Sequence, residues 1–138
     1  MTDLTRPLCS APSIAVAVAR KLAEKQPMTQ YAVLIFEGAK ELPAEVLAAH
    51  GDLPGRIAEK GGRIVAGLAL PGNETATAIR GEEITDGPFI ETKEALAGVF
   101  VLEARDLDHA IALAELTPIV DGGVEVRPLL GFHVLEDS

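Results

Sequence analysis

Cysteine is nearly absent from this chain: Cys9 is the only one in 138 residues. A single thiol makes neither a disulfide framework nor a cysteine-rich metal site. Tryptophan is missing, tyrosine occurs once and phenylalanine four times. Those are too few aromatics for a base-stacking platform. Positive charge is also scarce, with 12 Lys and Arg against 21 Asp and Glu and a net charge of −9. A phosphate-reading surface needs clustered cations, so direct nucleic-acid binding is not expected. No apolar run reaches the ~18 residues of a membrane-spanning helix. Near the start, the apolar run over 14–19 falls short of the ~7–15 residues of a signal-peptide core, and Asp3 precedes Arg6. The expectation is a cytoplasmic protein with no membrane partner.

Hydrophobic residues make up 48% of the chain and charged residues 24%, a balance that folds rather than staying disordered. At this length one domain with its own core is expected. Residues 1–27 differ from the rest. Pro7 and Pro12 break the opening, and Ser13 can cap a short helix carrying Ile14, Val18 and Leu22. They read as an N-terminal extension, poorly ordered or a loosely docked helix. The domain proper is expected over 28–138, with Met28 at its start.

Residues 31–36 (YAVLIF) form an apolar run suited to a buried strand. Pro43 then fits the first turn of a helix, with Glu45 favoured by the dipole. Val46, His50, Leu53 and Ile57 recur at helical spacing and define one face. Gly51 and Pro54 are expected to kink or split that helix, and Gly61-Gly62 to end it. Residues 63–70 read as a second strand. Residues 75–80 read as a third strand paired back on the second, and 81–87 as a short addition. A further strand covers 98–103. Asp106 caps a second helix with Leu107, Ala110, Ile111 and Ala114 facing in and His109 exposed. A last strand runs over 124–129.

Strands joined through single crossover helices give an α+β, ferredoxin-like βαββαβ split unit with an extra hairpin. Right-handed crossovers put both helices on one face of the sheet. Yet residues 31–36 and 99–102 are apolar at consecutive positions, so both faces of their strands need cover. Leaving one face wet forfeits about 25 cal/mol per Å². A second copy of the chain is the simplest cover, which predicts a symmetric homodimer with its sheets packed face to face.

Residues 85–94 read TDGPFIETKE. Asp86-Gly87 is a turn pair, and Pro88 favours extended backbone at Gly87. Phe89 can anchor the loop apolarly, and Glu91, Lys93 and Glu94 bring three charges together. A plain well-made loop is one reading. The segment also resembles the signature of the YCII-related family, whose DGPF subgroup is named for residues matched here by Asp86, Gly87, Pro88 and Phe89. Glu91, Lys93 and Glu94 match its E-x-K-E continuation, and Gly98 the glycine that follows. Residues 31–35 resemble the family's opening strand and 124–128 its closing one, so the likeness covers about 28–130. It implies a dimeric α/β barrel. It implies no settled reaction: relatives have been read as small enzymes with a His-Asp pair, and DGPF members occur near sigma factors, which links them to transcriptional signalling.

The candidate chemistry follows from a few residues. His50 faces the sheet, and an imidazole beside a carboxylate can act as a general base. Asp86 is the candidate orienter. Lys93 can hold an anionic substrate, with Phe89 and Glu91 as further binding candidates. A core histidine, a turn aspartate and a lysine paired with Glu91 or Glu94 are the competing readings. The three histidines show no ligand spacing, so no metal site is expected, and no cofactor is expected either. Two functions stay open. One is a small-molecule-binding protein with its pocket near the 85–94 loop, as an accessory to sigma-factor-linked signalling. The other is a small enzyme of proton-transfer, isomerase or lyase type using His50 and Asp86.

Overall fold

The computed structural model describes residues 28–135. The expected extension over 1–27 lies outside the described residues, which open at Met28. The chain runs β1 (Thr29–Glu37), α1 (Ala44–Glu59), β2 (Arg63–Ala69), a 3₁₀ turn (Asn73–Thr75), β3 (Thr77–Arg80), β4 (Glu83–Asp86), β5 (Ala95–Ala104), α2 (Leu107–Ala114) and β6 (Gly122–Pro128). The main sheet has the order β2-β5-β1-β6, and all three of its pairings are antiparallel. That is the ferredoxin-like α+β arrangement, with β3–β4 as the extra hairpin.

Strand alternation sorts the two central strands into two faces. Tyr31 and Val33 of β1 and Phe100, Leu102 and Ala104 of β5 are buried in one cluster with Leu53 and Ile57 of α1 and Ala110, Leu113 and Ala114 of α2. Both helices therefore cover the same face. The opposite face carries Ala32, Leu34 and Phe36 of β1 beside Leu96, Val99 and Val101 of β5, all half-buried. Ala66 and Leu68 of β2 pair with Val101 and Val99 and extend the apolar strip. Leu68 is 57% exposed. At the far edge, the outward Glu125 and Arg127 of β6 form an ion pair at 2.5 Å.

Four sequence expectations need correction. Residues 75–80 do not pair back on β2. The strand Thr77–Arg80 pairs with β4 in a separate two-stranded sheet, from Thr77 opposite Asp86 to Arg80 opposite Glu83. The β2 edge instead takes the longer, more apolar β5, which buries more surface than the threonine-rich segment could. Secondly, α1 is one helix of 16 residues with Pro54 inside it. Pro54 lies on the exposed side, while Leu53 and Ile57 are buried and hold the following turn to the sheet. The expected face is otherwise present, with Val46 and His50 half-buried above them.

Thirdly, α2 presents a different face. Leu107 and Ile111 are exposed and His109 is buried. The helix is apolar almost all round, so periodicity alone could not orient it. His109 decides the matter through its hydrogen bonds. Its backbone N–H donates to the Asp106 cap at 2.8 Å. Its Nδ1 accepts from the Arg105 N–H at 3.1 Å, and Nε2 lies 2.8 Å from the Lys60 carbonyl. With Nδ1 accepting, Nε2 carries the proton and donates to that carbonyl. The ring thereby fastens the end of α1 to the start of α2. Fourthly, Gly87 has φ +107, not the ordinary extended geometry expected before Pro88. Glycine alone enters that region at low cost, and its N–H donates to the Ala76 carbonyl at 2.8 Å.

Replacing His109 by leucine strands the Lys60 carbonyl and the Arg105 N–H. A loss of about 1–3 kcal/mol in urea unfolding is expected. By contrast, Thr117→Val removes a buried hydroxyl that has no hydrogen-bond partner among the described residues. It is expected to leave stability unchanged or raise it by up to about 1 kcal/mol.

Candidate functional site

The candidate site forms at one end of the sheet. Strands β1 and β2 finish there, and β5 begins there. The β1–α1 connection, the residues after β2 and the residues before β5 converge around a cleft of about 710 Å³. Its lining is Glu37, Gly38, Ala39, Lys40 and Leu42 from the first, Leu70, Pro71, Gly72, Asn73 and Glu74 from the second, and Lys93, Ala95 and Ala97 from the third.

Two backbone devices shape this cleft. The first is a bulge. Ile35 pairs with Gly98 and Phe36 with Leu96, which leaves Ala97 as the additional residue on β5. The Ala97 carbonyl accepts from the Leu70 N–H at 2.8 Å and draws the end of β2 into the cleft wall. Gly98 beside it must be glycine, since a Cβ there would lie 2.8 Å from the Leu68 carbonyl oxygen.

The second device is Glu37. It closes β1 on the helix-covered face and is only 8% exposed. Oε1 accepts from the Val120 N–H at 2.7 Å, while Oε2 accepts from the Asp121 N–H at 2.7 Å and the Ala39 N–H at 3.1 Å. The Gly38 N–H donates to the Asp121 carbonyl at 2.6 Å. One carboxylate thus ties the β1–α1 connection to the α2–β6 connection. Burial pushes its carboxyl up, but the amides of Val120, Ala39, Asp121 and Gly38 outweigh that and hold it below the ordinary glutamate range. Glu37 is not among the site residues expected from the sequence. Its signal was available: a lone carboxylate ending an apolar strand, followed at once by glycine.

The sequence-derived candidates fall in three places. Lys93 lines the cleft. It is exposed and makes no ion pair with Glu91 or Glu94 among the described residues. Glu91 is exposed outside the lining, and Thr92 Oγ1 hydrogen-bonds the Glu94 carbonyl. Asp86 ends β4 and is exposed. Phe89 is 54% exposed, so it does not anchor the loop by apolar burial as expected. The Arg80 guanidinium lies 4.0 Å from its ring centroid, and Arg80 Nη2 lies 3.4 Å from its carbonyl oxygen. A cation stacked on the ring holds the loop instead. His50 is half-buried on α1, outside the cleft lining. Among the described residues no hydrogen bond or ion pair joins His50 to Asp86. Nor do any three or more His, Cys, Asp or Glu side chains there stand close enough to hold a metal ion. No described helix is long and apolar enough to cross a membrane.

Glu37→Gln turns an amide NH₂ towards backbone N–H donors. A loss of about 2–3 kcal/mol at neutral pH is expected. The sign of the pH dependence follows from the lowered carboxyl. Its contribution is complete above the unfolded glutamate pKa of ~4.3 and disappears as pH falls through the lower folded value. Urea unfolding between about pH 3 and pH 7 should show the gap between the two proteins narrowing in acid. A gap that widens in acid would contradict this role for Glu37.

No curated protein matches the chain at a significant level. A family model described as YCII-related domain matches residues 22–133. The match takes in every strand and helix described above, together with the two devices that shape the cleft. The chain belongs to the YCII-related domain family.

Proposed function

We propose that this protein binds a small organic molecule in the cleft at the end of the sheet, beside the 85–94 segment, and that it does so as a homodimer. The observation that carries the reading is the cleft itself, which takes Lys93 from that segment as part of its wall. A concavity of about 710 Å³ falls within the range of small-molecule sites. Its walls mix apolar surface from Leu42, Leu70, Pro71, Ala95 and Ala97 with a few polar groups, the usual make-up of such a site. The DGPF loop is then a support: its turn at Gly87 and the Arg80–Phe89 stack hold the approach to Lys93. This binding role is the one in which an accessory task in sigma-factor-linked signalling would be exercised.

A proton-transfer enzyme built on His50 and Asp86 requires the imidazole and the carboxylate in contact or joined through one water. The binding reading needs no such contact, and it uses the cleft that the backbone builds.

The dimer rests on the outward face of the sheet. Leu34, Phe36, Val99, Val101 and Leu68 form one apolar strip, and neither described helix lies over it. Stable interfaces bury ~1,200–2,000 Å² in total, and pairing two such sheets face to face is an economical way to reach it. Sedimentation at micromolar concentration is expected to give a dimer, and Leu34→Lys a folded monomer. A wild-type monomer would overturn the assembly.

The binding reading is tested by thermal-shift screening of a broad set of small organic acids, amides, lactones and amines. Compounds that raise the midpoint of the wild type should lose their effect in Ala39→Phe, which fills the cleft. Effects that survive Ala39→Phe and vanish in His50→Ala would transfer the site to α1 and reject this reading.

A further inference from the structure

We infer that the ligand of this cleft is an organic monoanion: one carboxylate carried on an apolar body and held between Lys40 and Lys93. This rests on the binding reading above and names the chemical class. The first observation is where the unpaired cations lie. In a chain with a net charge of −9, two ammonium groups line one concavity, and neither has an ion pair or hydrogen bond among the described residues. Four other described cations are occupied: Arg63 meets Glu103 at 3.9 Å, Arg127 meets Glu125, Arg80 stacks on Phe89, and Arg105 lies against His109. The Arg56 and Lys60 side chains also have no partner among the described residues, but neither lines the cleft, so Lys40 and Lys93 are the two such cations that share one concavity.

The second observation is how the acidic lining residues are disposed. Glu37 reaches the cleft, but both its oxygens already accept backbone N–H bonds. It is a wall and not a free counter-ion. Glu74 is folded back over Gly72, where an added Cβ would lie 2.4 and 2.6 Å from its carboxylate oxygens. Glu74 and Glu37 both line the cleft, so their two negative charges match those of the two lysines and the lining is neutral overall. A doubly charged phosphate or dicarboxylate would face those two carboxylates, whereas a single carboxylate meets two lysines that have no other partner among the described residues. Lysine suits this task, since its compact ammonium swings on a flexible stem to meet a carboxylate. The Asn73 side chain adds an uncharged polar contact point. Leu42, Leu70 and Ala97 leave apolar surface for the rest of the molecule.

The test uses the full chain and two matched pairs of probes, benzoate with benzamide and 1-naphthoate with 1-naphthamide, by isothermal titration. Each acid is expected to bind at least about tenfold more tightly than its amide, and more weakly as salt rises. Lys40→Ala and Lys93→Ala should each remove most of that preference while leaving amide binding as it was. Lys93→Arg, which keeps the charge, should retain it. Equal affinity for acid and amide, with both lost in Ala39→Phe, would overturn the anion assignment and leave the cleft standing as the site. Acid binding that persists in both alanine variants would overturn the assignment to these lysines. Failure of both acids to bind would also overturn the inference. The cleft reading fails separately, when the broad screen moves the wild type and Ala39→Phe alike.

Discussion

The Glu37 carboxylate is the constraint on which the rest of the molecule turns. It stands at the last position of a central strand, on the face that should be apolar, where an unpaired charge would be very costly. Amides from both flanking connections converge on it, and the charge-assisted bonds they form make burial tolerable. The consequence is geometric. The chain leaving β1 and the chain entering β6 are pinned to the same two oxygen atoms. The β1–α1 connection is therefore a fixed wall and not a free loop, and the cleft inherits that rigidity.

From this point the architecture leads to the site. The crossover order sends β1 and β2 to the same end of the sheet, and β5 returns between them. The Ala97 bulge interrupts the ladder at that end and turns the Ala97 carbonyl to Leu70. Bulges often lie next to active and binding sites because they re-aim a short stretch of chain without dismantling the sheet. At the opposite end, His109 clips α2 to the terminus of α1. The helical layer is thus anchored away from the cleft, and the connections around the cleft are left to specialise.

Much of this was legible in the sequence, for identifiable reasons. The apolar runs over 31–36 and 98–103 could only be central strands, and the spacing of Leu53 and Ile57 marked the inner face of α1. Asp106 announced the start of α2, and Gly61-Gly62 the end of α1. What failed depended on tertiary competition. The pairing of residues 75–80 was decided by β5, a better neighbour for β2 more than twenty residues away in the chain. The orientation of α2 was decided by a histidine whose ring satisfies backbone groups, which periodicity does not see. Of the proposed site residues, Lys93 reaches the cleft because it lies two residues before the start of β5. Asp86 is carried off on the β3–β4 hairpin, and His50 lies along α1. Glu37 and Lys40 escaped attention because a carboxylate at a strand end and a lone lysine in a connection have no motif of their own.

The proposed ligand site is the end of the sheet bounded by Glu37, Asn73 and Lys93. Mapping amide chemical-shift changes during a titration with benzoate would locate that site residue by residue. The largest changes are expected on Gly38, Ala39, Lys40, Asn73 and Lys93, with α1 around His50 unmoved. Changes centred on His50, or spread over the outward strip of Leu34 and Val99, would contradict it.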